Sequence, residues 1–123
     1  MPSKKKLRPL EVAGLGVDLA EVARIRALAG RSPGFLKRVF TPAELAYALK
    51  GSNRFERLAA RFAVKEAVIK ALDATGTPLK NIEVENTASG RPQVTVKNRP
   101  GLRLMVSISH TRSYACASVI AFK

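Results

Sequence analysis

The run from Arg54 to Ala74 contains no Gly and no Pro and is rich in helix formers, with Leu58, Ala59, Ala60, Ala63, Ala67, Ala71 and Leu72 among them. At helical spacing Leu58, Phe62, Val68, Ile69 and Leu72 form a broad apolar arc. An arc that wide predicts a helix the rest of the chain packs around. Two charges interrupt it. Lys65 projects into the arc, while Glu66 lies on its edge with Lys70 one turn further along the same side. A charge stranded in apolar surroundings is costly, so these groups must be paired, metal-bound or at a cleft. A Glu66–Lys70 pair on the helix surface satisfies the spacing as well as a site does.

Ahead of this helix, Val12, Leu15 and Val17 suit a strand, and Gly14 and Gly16 permit close backbone approach. Asp18 falls where that strand is expected to give way to a helix carrying Leu19, Val22, Ile25 and Leu28, which makes an N-cap its bland role. The same helix bears Arg24 and Arg26, with Arg31 just past Gly30. Thr41-Pro42-Ala43-Glu44 reads as a capping box with Pro at the first helical position. Asn53 to Glu56 repeats that pattern at the head of the long helix, and Gly76 is expected to end it in the left-handed conformation.

After Pro78 the period shifts to two. Ile82–Asn86, Gln93–Val96, Leu104–His110 and Tyr114–Phe122 read as strands, with turns at 88–91, 98–101 and 111–113. The order predicts an α+β fold, an N-terminal strand and helices packed on a C-terminal antiparallel sheet. One domain over residues 11–123 follows a basic tail over residues 1–10, where Lys4, Lys5, Lys6 and Arg8 cluster.

Twenty-two Lys and Arg against nine Asp and Glu give a net charge of +13, which calls for an anionic partner. No apolar run is long enough to span a membrane, and the N-terminus lacks the apolar core of a secretory signal. The lone Cys116 has no internal disulfide partner and fits a reducing cytoplasm, as a small buried side chain. His110, the only histidine, ends a strand beside Thr111; a structural hydrogen bond and a phosphate contact are both open to it. Gly90-Arg91-Pro92 alone is ordinary turn chemistry.

In combination these pieces are specific. Gly14-Leu15-Gly16-Val17-Asp18, Arg61 to Ala67 with Lys70, Asn86 to Pro92, and Ser107-Ile108-Ser109-His110-Thr111 resemble the holo-[acyl-carrier-protein] synthase family, the short 4′-phosphopantetheinyl transferases. Phe40 to Leu45 also matches, so the likeness covers nearly everything from Gly14 to Phe122. The resemblance implies transfer of phosphopantetheine from coenzyme A to a serine of an acyl carrier protein, in support of fatty-acid biosynthesis. It implies Mg²⁺ on Asp18 and Glu66, Lys70 near the transferring phosphate, and Arg61 lining the coenzyme A site. Gly90, Arg91 and Pro92 match the loop around the adenine, and His110 and Thr111 match residues near the 3′-phosphate. The family is typically a homotrimer with sites between subunits, and its carrier protein docks on the helix after the first carboxylate, here through Arg24 and Arg31.

Two positions depart from the pattern. Thr87 stands where relatives often have Asp, and Ala20 stands where larger relatives have a third acidic ligand, leaving that coordination position to water. The general base stays open between Glu66 and a metal-bound water. A non-catalytic nucleic-acid-binding domain is the alternative that the charge supports. Against it, aromatic residues are few, with no Trp, two Tyr and five Phe, and they do not interleave with basic ones on a strand. It also leaves Asp18 and Glu66 without a purpose.

Overall fold

The computed structural model describes residues 9–123; most of the basic segment expected as a tail lies outside the described residues. The order of elements is β1 (Val12–Glu21), α1 (Val22–Arg31), α2 (Phe35–Val39), α3 (Pro42–Ala48), α4 (Arg54–Leu72), β2 (Ile82–Asn86), β3 (Pro92–Val96), β4 (Arg103–His110) and β5 (Tyr114–Phe122). A short 3₁₀ turn, Leu79–Asn81, leads into β2.

The fold is α+β. β5 lies between β1 and β4 in an antiparallel sheet, and β2 and β3 form a separate hairpin. The expected single sheet is thus divided, and the turn after β3, where Asn98 takes a φ of 65°, redirects the chain. α4 covers one face of the three-stranded sheet. Ala63, Val64, Ala67, Val68 and Ala71 are buried there, as are Ala115, Ala117, Val119 and Ala121 of β5. Small side chains on both elements bring helix and sheet close together, and β1 shows how close. A Cβ on Gly14 would lie 1.8 Å from the carbonyl oxygen of Ala71, and one on Gly16 would lie 1.9 Å from that of Ala67. Only glycine fits at either position.

Alternation along β1 then fixes the next side chain. Gly14, Gly16, Asp18 and Ala20 share the helix-facing side, while Leu15, Val17 and Leu19 face away and are exposed. Among the described residues no helix is long and apolar enough to cross a membrane.

Several local expectations need correction. β1 continues through Asp18 to Glu21, so Asp18 is not an N-cap; Glu21 precedes α1 and makes no side-chain cap bond. Pairing with β5, in which Leu19 faces Cys116 and Glu21 faces Tyr114, keeps the chain extended past Asp18. Asn53 also makes no cap bond, and α4 ends at Leu72 with Asp73 as its left-handed cap; Gly76 does take a positive φ, 93°, but three residues beyond that cap. Cys116 is half-buried on the sheet face away from α4. The Thr41 capping box forms as expected, with Glu44 closing it and Pro42 starting α3.

Candidate functional site

The close approach of β1 to α4 places Asp18 against the helix. Lys70 Nζ donates to Asp18 Oδ1 at 3.1 Å and to the carbonyl of Val17 at 3.0 Å. Lys70 therefore pairs with Asp18, and the surface Glu66–Lys70 pair is not among the ion pairs of the described residues. Glu66 is half-buried. Burial pushes its carboxyl above the usual carboxylate range and the Asp18 charge pushes it the same way, against the pull of Lys70 and Arg24. Asp18 and Glu66 thus stand near enough at the rim of the core for the one charge to act on the other, with Lys70 and Arg24 offsetting it.

No group of three His, Cys, Asp or Glu side chains among the described residues forms a self-sufficient metal site. Two carboxylates are nevertheless the donor set Mg²⁺ takes when water and substrate phosphate supply the rest of its shell. Asp18 and Glu66 fit that ion.

Lys65, the other charge in the apolar arc, has a different fate. It is fully buried and pairs with Glu44 at 2.6 Å, itself fully buried. Lys65 Nζ also donates to the carbonyls of Ile82 at 2.5 Å and Leu79 at 3.2 Å. Glu44 accepts from the backbone N–H groups of Thr41 and Val84, both at 2.8 Å. Every strong partner is used, so the pair ties α3, α4 and β2 together and leaves nothing for a substrate. The sequence carried both halves of this signal, a lysine in an apolar arc and a capping-box glutamate, without the means to join them.

The remaining site residues gather on the far side of α4. Arg61 precedes Lys70 by nine positions, about half a turn around the helix axis. A cavity of about 330 Å³ is lined there by Arg57, Arg61, Gly90, Arg91, Pro92 and His110. Gly90 has a φ of 86°, and Thr87 N–H donates to the Arg91 carbonyl at 2.8 Å, so the loop between β2 and β3 closes tightly and sets Arg91 at the rim. His110 Nδ1 lies 3.3 Å from Glu56 Oε1. Arg61 is almost completely buried, which lowers its pKa, and its Nε has no hydrogen-bond partner.

Thr111 is not part of the cavity lining. Its hydroxyl accepts from the backbone N–H groups of Ser113 and Tyr114 and so builds the β4–β5 reversal. Arg24 and Arg31 are both exposed on α1, Arg24 near enough to Glu66 to act on its charge. In one chain, then, the site residues form two groups, carboxylates and Lys70 at the β1 side of α4 and a cationic cavity on its opposite side.

The model of the 4′-phosphopantetheinyl transferase superfamily matches residues 14–119, which contain both groups. The chain belongs to the holo-[acyl-carrier-protein] synthase family. It is 46% identical over 113 residues to the holo-[acyl-carrier-protein] synthase of Thermodesulfovibrio yellowstonii, a match covering 89% of this chain and 97% of the relative. The corresponding enzyme of Solibacter usitatus is 39% identical over 121 residues, covering 89% and 97%. Among solved structures, the holo-(acyl-carrier-protein) synthase of Bacillus anthracis in complex with CoA (3′,5′-ADP) superimposes with a TM-score of 0.79 at 31% identity, covering 93% of this chain and 98% of that one. The synthase fold and transferase class are thus this chain's own.

Proposed function

We propose that this chain transfers the 4′-phosphopantetheine group of coenzyme A to a serine hydroxyl of an apo-acyl carrier protein, releasing 3′,5′-ADP. The reaction is Mg²⁺-dependent and serves fatty-acid biosynthesis in the cytoplasm. The observation that carries the reading is the division of charge around α4, a two-carboxylate cation site on one side and a cationic cavity on the other. A coenzyme whose scissile bond lies within its pyrophosphate and that carries a phosphorylated nucleotide at one end needs both.

Asp18 and Glu66 would hold the metal, which when bound would neutralise pyrophosphate charge and polarise the phosphoryl group. Lys70 carries a further positive charge on a flexible stem beside Asp18, within the site where the transferring phosphate would lie. Arg61, Arg91 and His110 bind the nucleotide phosphate, and the Gly90–Pro92 loop borders the base. Little covalent chemistry is required of the protein; positioning and charge neutralisation supply the acceleration.

The opposite placement of the two groups supports a homotrimer in which the carboxylates of one subunit meet the cavity of the next. The sheet face away from α4 offers a surface for that association. Leu15, Leu19 and Met105 are 63%, 64% and 56% exposed on it, beside Val17 and Ile120. Arg24 and Arg31 on α1 receive the acidic carrier protein, with steering that weakens as salt rises.

Incubation of an apo-carrier protein with this chain, coenzyme A and Mg²⁺, followed by mass spectrometry of the carrier, tests the reading. A gain of about 340 Da, the phosphopantetheine mass, that EDTA abolishes is expected. No gain with several carrier proteins, together with salt-sensitive binding to DNA or RNA, would make the basic binding module the better account.

A further inference from the structure

Arg57 and Arg61 stand one turn apart on α4, and among the described residues neither has a carboxylate within ion-pair distance. Both guanidinium groups lie instead against the ring of Tyr47, their central carbons 4.8 and 4.0 Å from its centroid. Arg61 is only 4% exposed, and its Nε is buried without a partner. A buried guanidinium ordinarily takes a carboxylate, whose charge cancels its own. An aromatic ring attracts the same group through its face and leaves the positive charge whole.

Tyr47 reaches the opposite wall of the cavity as well. Its hydroxyl accepts from Asn86 Nδ2 at 3.1 Å, and Asn86 ends β2 where the loop to Gly90 and Arg91 begins. Arg57 Nη1 further donates to the Tyr47 carbonyl at 2.9 Å. One side chain therefore touches Arg57 and Arg61, the cavity arginines of α4, and the root of the loop that carries the third cavity arginine, Arg91.

We propose that Tyr47 is a positioning residue of the nucleotide cavity, holding Arg57 and Arg61 in place without neutralising them and joining them to the 86–91 loop. The cavity then meets an anionic phosphate with guanidinium groups already set and fully charged. The inference rests on the coenzyme A reading above and deepens it: the phosphate affinity of the site depends on an aromatic support where a carboxylate would otherwise stand.

Calorimetric titration of 3′,5′-ADP into the full chain, without metal or carrier protein, tests this independently of turnover. Tyr47→Phe keeps the ring and is expected to stay within about 3-fold of the unaltered affinity, while Tyr47→Leu weakens binding about 10-fold. Tyr47→Glu gives the arginines a partner again but cancels their charge, so it is expected to bind more weakly than Tyr47→Leu. A purely structural support predicts the reverse order of those two. In turnover, Tyr47→Leu is expected to raise KM for coenzyme A while leaving KM for the carrier protein in place. Thermal unfolding of each variant establishes that it is folded, and the contrast of Phe with Glu stands even where Tyr47→Leu does not fold. Unaltered affinity in Tyr47→Leu or Tyr47→Glu would overturn the role of Tyr47 alone. Absence of 3′,5′-ADP binding by the unaltered chain would overturn it together with the coenzyme reading.

Discussion

Lys70 reaches Asp18 across the junction of α4 and β1, at 3.1 Å, because no side chain stands between the two elements. Gly14 and Gly16 let the strand run against the carbonyls of Ala71 and Ala67, and two residues later the alternation of the strand turns Asp18 toward the helix. The placement of Asp18 against Lys70 is therefore set by an absence of Cβ atoms some distance away from it.

Gly16→Ala is expected to lower stability by about 1–3 kcal/mol or more, since helix and strand must separate to admit the methyl group. Transfer activity falls with it. Gly30→Ala is the control: nothing lies within 4 Å of its added Cβ, and a helical Gly-to-Ala change there is neutral or stabilising. Urea unfolding of the two variants checks the contrast, and equal effects would remove close approach as the cause.

The Glu44–Lys65 pair is expected to behave as a closed unit. Lys65→Met leaves a buried carboxylate without its cation and costs about 3–5 kcal/mol, whereas the double variant Glu44→Gln/Lys65→Met recovers part of that loss. Thermal unfolding measures the coupling. Additive losses would mean that the two side chains do not depend on one another.

Glu66→Gln removes a charge that burial and Asp18 both disfavour, so in metal-free buffer the variant is expected to be at least as stable as the unaltered protein. Its Mg²⁺-supported transfer falls by roughly 10²-fold or more, as loss of a preorganised electrostatic group does. Gain in stability with loss of turnover is the signature of a site residue. Near-normal turnover would remove Glu66 from the metal.

Arg24→Glu is expected to raise KM for the carrier protein by about 10-fold at low salt, with a smaller effect on coenzyme A. Steady-state kinetics with each substrate varied in turn separates the two. A change confined to the coenzyme A KM would move Arg24 off the docking surface.

The elements most legible in the sequence are those fixed by local spacing. The long apolar arc announces α4, the Thr41 capping box announces α3, and period-two patterns announce β2 and β3. What escaped depends on partners distant in the chain. Leu19, Val22, Ile25 and Leu28 have helical spacing, yet Leu19 belongs to β1 because its ladder with Cys116 outweighs the local pattern. Cys116 sits in a run from Ala115 to Phe122 that is apolar everywhere but Ser118, which gives little clue to the face each residue takes; the register puts it opposite the core. The candidate site residues were named through family resemblance, which gave no sign of their division across α4. It depends on the angle between Arg61 and Lys70 on a helix whose two flanks meet different elements.

That division leads to the most direct test of the account, in which the carboxylates of one subunit serve the cavity of its neighbour. Asp18→Asn and Arg61→Ala are each expected to be nearly inactive alone, one lacking the cation site and the other a cavity cation. Co-expressed in equal amounts, they form mixed assemblies in which about a quarter of the head-to-tail interfaces join an intact cation site to an intact cavity. Carrier-protein modification by the mixture, measured by mass spectrometry, is expected to return to about a quarter of the unaltered rate. No recovery in assemblies verified to contain both chains would contradict the account, because it would place the whole site within one chain.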